Sequence, residues 1–132
     1  MWTSDIASIV FTRIKVEATA KLKSKYLSIN FTTSDQVREE PKFPNVYVKK
    51  LQGSEAGQTL DGESVNAFVS SFQIEVADSV SDNRAQEVAD VVYSIMKKMR
   101  YECIGEPFQD NIEGVHRNVA RYRRLIGYND TL

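Results

Sequence analysis

Ala85, Val88, Ala89, Val92, Ile95, Met96 and Met99 recur at steps of three and four along one stretch of this chain. That spacing places all seven on a single face of an α-helix. Ser79, Ser81 and Asp82 stand just ahead of the run and supply turn and cap residues. Upstream again, Phe68, Phe72, Ile74 and Val76 share one side of an extended segment, with Gln73 and Glu75 on the other. A period of two is what a sheet with one covered face produces. Neither pattern is stable alone in water. Each large apolar side chain contributes roughly 1.5–3 kcal/mol only when it is buried. Helix and strand together therefore require an α+β architecture with the helix laid over the sheet. Met96 and Met99 read as core fillers rather than as a partner groove.

The remaining elements are written more faintly. A first helix is expected to begin near Thr3, Ser4 and Asp5. Ile6, Ile9, Val10 and Ile14 form its stripe, continued by Val16 or Ala18. Lys21, Lys23 and Lys25 at its far end complement the helix dipole. The stripe reads as a core-facing face rather than a membrane-lying one. Leu27, Ile29 and Phe31 alternate with polar residues and suggest a short strand. Residues 32–43 read as a polar loop containing Glu39 and Glu40. Adjacent carboxylates in an extended chain point apart, so no acid–base pair is expected there. Residues 46–51 read as a strand. Residues 52–66, with Gly53, Gly57 and Gly62, read as an irregular loop projecting from the sheet. Their glycine spacing matches neither a dinucleotide fingerprint nor a P-loop. A strand is expected from Tyr101 to Ile104, edged by Gly105 and Pro107, then a turn over 109–114 and a last strand over 115–126. The expected fold is a mostly antiparallel four- to five-stranded sheet with two helices packed on one face. Its order is α-β-β-α-β-β, with room for an extra short strand near 27–31.

At 132 residues the chain reads as one domain, long enough to bury a core without a metal or disulfide. The net charge of −1 argues against bulk attraction to nucleic acid or an anionic membrane. Cys103 is the sole cysteine, so no internal disulfide or cysteine metal cluster is expected, in keeping with a reducing cytosol. No apolar run is long enough to span a bilayer, and no leader pattern is evident at the start. His116 is the sole histidine. No Gly-x-Ser-x-Gly elbow is present, and a Cys103–His116 dyad has no local support. No catalytic, metal or cofactor residues are expected.

The last strand carries Arg117, Arg121, Arg123 and Arg124, with Tyr122 among them and no acid. Three readings stay open: a solvated outer sheet face, a protein interface using bidentate arginines, or a single-stranded nucleic-acid reader that stacks bases on Tyr122.

Five blocks then give the chain a resemblance. They are Phe31-Thr-Thr-Ser-Asp-Gln36, Phe43-Pro-Asn-Val-Tyr-Val48, Gly57-Gln-Thr-Leu-Asp-Gly62, Asn66-Ala-Phe-Val-Ser-Ser-Phe-Gln-Ile-Glu-Val76 and Val119-Ala-Arg-Tyr-Arg-Arg-Leu-Ile-Gly127. In their order and spacing they resemble the tail terminator, or tail completion, proteins of long-tailed bacteriophages. The likeness covers nearly the whole chain after Thr3. It implies a non-enzymatic virion protein without cofactor, assembled in the bacterial host cytoplasm and located in the tail or neck. It implies a ring of this chain, usually of six copies, that stops growth of the tail tube and presents a joining surface to the head–tail connector. Partners would be further copies, the tail tube protein and the connector or stopper protein. DNA would pass the lumen as cargo, and no membrane would be involved. The likeness further implies an oligomer or tube contact at Gly57, Gln58, Leu60, Asp61 and Gly62. It assigns Arg117, Arg121, Arg123 and Arg124 to a ring interface or lumen wall. A neighbouring neck or head–tail connector component is the alternative within the class.

Overall fold

A computed structural model of the chain describes residues 5–26, 28–33, 43–58, 65–127 and 132. The elements run α1 (Ile6–Leu22), β1 (Asn30–Thr33), β2 (Asn45–Gln58), β3 (Val65–Asp78), α2 (Asp82–Lys98), β4 (Glu102–Cys103), β5 (Phe108–Gln109) and β6 (His116–Gly127). The fold is α+β with two helices and a mostly antiparallel sheet. Strand order is β1-β2-β3-β6, and β4 and β5 share the far edge of β6. β1 lies parallel to β2, and every other pairing is antiparallel.

α2 forms where the seven-residue stripe demands it. Ser81, in an extended conformation, accepts a hydrogen bond from the Arg84 amide at 3.2 Å and so caps the first turn. Ala85, Val88, Val92, Ile95, Met96 and Met99 are buried, and Ala89 packs beside them. The helix ends with Arg100 in the left-handed region at φ 65°. The Arg100 amide reaches the Lys97 carbonyl at 2.9 Å, and the Tyr101 amide reaches that of Met96 at 3.0 Å. These two bonds make a Schellman closure, in which glycine ordinarily takes the left-handed position.

The stripe meets the inward side chains of the sheet: Val46 and Val48 of β2, Phe72, Ile74 and Val76 of β3, and Ala120, Tyr122 and Ile126 of β6. α2 packs directly on β3 and β6. Tyr101 enters the same core. Its ring lies edge-on to Phe72 at 5.8 Å, and its hydroxyl bonds to that of Ser70 at 2.9 Å. Burial pushes the Tyr101 hydroxyl above its usual pKa.

α1 departs from its expected stripe. Ile6, Val10, Ile14, Ala18 and Leu22 are buried, whereas Ile9 is 44% and Val16 61% exposed. With 3.6 residues per turn, a ridge of steps of four drifts around the helix and leaves Ile9 and Val16 on the opposite flank. α1 packs against α2 and joins the same core.

The sheet is also larger than expected, with six strands. β1 starts at Asn30 rather than near 27, and Leu27 lies outside the described residues. The two-residue strand β5 is too short to leave a periodic signal. The stretch read as an irregular loop, 52–66, is strand to Gln58 and again from Val65, and 59–64 lie outside the described residues. The glycines there do not break β2. Its ladder with β3 shifts register once, between Leu51 and Ser54, and then resumes. A bulge absorbs one extra residue at little cost to pairing.

Candidate functional site

The sheet face turned away from the core carries the side chains that sequence reasoning singled out. β3 and β6 pair in continuous antiparallel register from Asp78↔His116 to Ala67↔Gly127. Paired residues share a face, so Arg117, Arg121, Arg123 and Leu125 stand beside Ala77, Gln73, Ser71 and Val69. Arg121 Nε donates to Gln73 Oε1 at 3.0 Å, and Gln73 Nε2 donates to Glu75 Oε2 at 3.2 Å. Glu75 Oε1 accepts from Arg117 Nη1 at 2.8 Å, and Arg117 also holds Asp110. These bonds form a polar ladder across one half of the face. Val119 lies within it, buried to 3% exposure, with half-exposed Phe108 of β5 in register beside it.

The other half is different. Arg123 and Arg100 have no side-chain hydrogen bond or ion pair among the described residues. Leu125 is 58% exposed. Val69, Leu125, Arg100, Arg123, Arg124 and Glu102 line a groove beside β4.

Arg124, grouped with the other three arginines as a candidate for a ring interface or lumen wall, does not share their face of the sheet. It points inward, is 7% exposed, and donates from Nη1 to the Met99 carbonyl at the end of α2 at 3.0 Å. Adjacent strand residues necessarily face opposite ways, so a run of two arginines cannot present both to one partner. Tyr122 is likewise turned into the core. The stacking aromatic that a nucleic-acid reading takes from this strand is therefore not on the arginine face. Of the predicted loop residues, Gly57 and Gln58 belong to β2, and Leu60, Asp61 and Gly62 lie outside the described residues.

Sequence reasoning did not assign a role on this face to Gln73, Glu75, Asp110, Phe108 or Arg100. Alternation marks Gln73 and Glu75 as outward, but only the register with β6 sets them beside arginines.

A second polar cluster sits at the start of α2. Asp82 Oδ1 accepts from His116 Nδ1 at 2.5 Å, Gln109 Nε2 at 3.0 Å and Asn111 Nδ2 at 3.1 Å. The His116 hydrogen bond, then that of Asn111, holds the Asp82 carboxyl below its usual pKa. A carboxylate with a depressed folded-state pKa contributes its full stability above the unfolded value of about 3.9, and loses it as pH falls through the folded value. Asp82→Asn is therefore expected to melt below the parent at pH 7, with the gap closing as both are taken to about pH 2. A gap unchanged across that range contradicts the assignment. Beneath the cluster, fully buried Asp78 accepts from the Val80 and Ser81 amides at 3.0 and 3.3 Å and pairs with Arg84 at 3.4 Å. Arg84 in turn lies over the Tyr26 ring at 5.0 Å. These contacts tie the ends of α1, β3 and α2 together.

Cys103 stands opposite Tyr122 in the β4–β6 pairing, six positions along β6 from His116. At about 3.3 Å per residue that is roughly 20 Å, so the two do not form a dyad. Burial pushes the Cys103 thiol above its usual pKa, which makes it a poor nucleophile at neutral pH. Among the described residues no group of three or more His, Cys, Asp or Glu is placed to hold a metal ion, and no helix is long and apolar enough to cross a membrane.

No protein-family model and no curated protein matches this chain.

Proposed function

We propose that the chain is a structural assembly protein of a bacteriophage tail, a tail terminator that closes into a ring of six copies on the end of the tail tube. In this reading both helices occupy one face of the sheet and leave the other to neighbouring subunits. The ring stops addition of tube protein and offers its far side to the head–tail connector, while DNA passes through the lumen. The protein works by binding alone, in the virion tail or neck after assembly in the host cytoplasm, and needs no cofactor.

The observation that carries the proposal is the asymmetry of the sheet. One side is filled by the core, and the other bears a hydrogen-bonded arginine ladder continued by exposed Leu125 and by Arg123, which has no side-chain partner among the described residues. A ring of identical subunits needs two different surfaces that fit head to tail and close on rotation. The ordered sequence blocks supply the phage context. Near-neutral net charge lets copies approach without strong repulsion.

The test adds purified chain to polymerising tail tube protein and measures tube length by negative-stain imaging. The parent is expected to give short tubes, each capped at one end. Arg121→Glu with Arg123→Glu is expected to abolish capping while leaving the circular dichroism spectrum unchanged. Unlimited tube growth with the parent contradicts the function. Tight, salt-sensitive binding of single-stranded DNA by a monomer would favour a nucleic-acid module instead.

A further inference from the structure

We propose that the groove beside β4 receives the tip of the β5–β6 hairpin of a second copy, with Ile112 of that copy seated on Val69 and Leu125 and its Glu113 meeting Arg100 and Arg123. The proposal rests on the ring-assembly reading and names the contact that would build it.

The groove has the chemistry of a receptor for an aliphatic side chain next to an acid. Its floor is half-buried Val69 and exposed Leu125, and its rim carries Arg100, Arg123 and Glu102. Arg124 forms the inner wall, held in place by its bond to the Met99 carbonyl at 3.0 Å. The two rim arginines have no side-chain partner among the described residues. Glu102 is the register neighbour of Arg123, yet no ion pair joins them.

The hairpin has the complementary chemistry. The connection 104–114 exposes Ile104, Phe108 and Ile112, carries Glu106, Asp110 and Glu113, and holds no lysine or arginine. Asp110 is engaged by Arg117, whereas Glu106 and Glu113 have no side-chain partner among the described residues. At the tip, Ile112 and Val115 exchange both backbone hydrogen bonds, at 3.1 and 2.8 Å, around Glu113 at φ 48° and Gly114 at φ 79°. A two-residue turn of this hand favours Asn-Gly. Asn111 braces its base by donating to Asp82 and accepting from the Arg117 amide. A tip held in this way loses little freedom on binding. Among the described residues, Arg100 and Glu113 are the two other than glycine in the left-handed region. Each keeps a charge where glycine or asparagine would relieve the backbone, and the two charges are opposite.

The tip cannot enter the groove of its own chain. The hairpin pairs with β6 at Asn118 and Val119 and turns back at Val115. Leu125 stands ten positions beyond Val115, roughly 33 Å at about 3.3 Å per residue. Tip and groove therefore lie at opposite ends of one strand. A neighbouring copy is under no such limit, and a tip-into-groove contact is heterologous, as a closed ring demands.

The experiment mixes two single-cysteine variants of the full chain, each with Cys103→Ser: one Ile112→Cys and one Leu125→Cys. Oxidation is expected to yield a mixed disulfide dimer as the main product, recognised by mass after tagging one variant. In parallel, Arg100→Gly and Glu113→Asn are each expected to weaken self-association about tenfold or more, measured by sedimentation equilibrium. Neither should lower the melting temperature, because each new residue suits the backbone it enters. Glu113→Arg is expected to weaken association at least as much, and to recover most of it when combined with Arg100→Glu and Arg123→Glu. Rings that form without the mixed disulfide, or that are indifferent to both Arg100→Gly and Glu113→Asn, overturn the groove assignment and leave the ring reading standing. A mixed disulfide formed as readily when Thr12→Cys, on the exposed flank of α1, replaces Ile112→Cys overturns it as well. Absence of any oligomer at every concentration, tail tube protein included, overturns both readings.

Discussion

Val92→Asp is expected to leave no soluble, folded protein. Val92 is at the middle of the α2 stripe and fully buried, in one core with Phe72, Ile74, Tyr122, Ile14 and Ile95. The substitution forfeits about 1.5–3 kcal/mol of apolar burial. It also sets a carboxylate in surroundings whose named neighbours are all apolar or phenolic. Without a cationic partner that carboxylate must either be buried charged or take up a proton, and either adds several kcal/mol. The sum is comparable to the lower part of the roughly 5–15 kcal/mol by which a domain of this kind is stable at all. Soluble yield and a thermal melt followed by circular dichroism measure it. A variant that expresses and melts like the parent means the α2 stripe does not face the sheet. Val92→Ala is the milder control, with an expected loss of about 1–3 kcal/mol and a retained cooperative melt.

The second large effect separates two adjacent arginines. Arg124→Met is expected to destabilise the fold by about 2–4 kcal/mol, because it removes a buried charged donor and strands the Met99 carbonyl at the end of α2. Methionine keeps most of the packing volume, so the loss reports the hydrogen bond and charge rather than a cavity. Arg123→Met, one residue earlier and on the exposed face, is expected to change stability by no more than about 0.5 kcal/mol. Urea denaturation of the two variants measures the contrast. Equal effects mean that the facing of β6 is wrong, and with it the division of the arginines into one structural and three outward residues.

How much of this was legible in the sequence follows from physical range. α2 and the second half of β3 were readable because burial on one face imposes a strict period on neighbours close in the chain. The outer half of the β2–β3 hairpin was not. Gly53 and Gly57 with polar residues look like a loop, yet a ladder to β3 and one bulge hold them in strand, and pairing outweighs local preference. The parallel β1–β2 pairing has no local signature, since it is decided by which strand lies nearest after a connection. In α1, isoleucine and valine at 9 and 16 matched helical spacing and still face water, because spacing restricts a residue to a flank without naming the flank that is covered. The same gap affected the candidate surface. The arginine run was visible, but its division between two faces and the Gln73–Glu75 ladder depend on register between segments some fifty residues apart in the chain.

In the proposed ring, copies of this chain associate head to tail through the exposed sheet face. Sedimentation equilibrium over a wide concentration range, with and without tail tube protein, tests it most directly. One closed species of six times the chain mass is expected, lost in Arg121→Glu with Arg123→Glu. A single species of monomer mass under every condition, tube protein included, would contradict it.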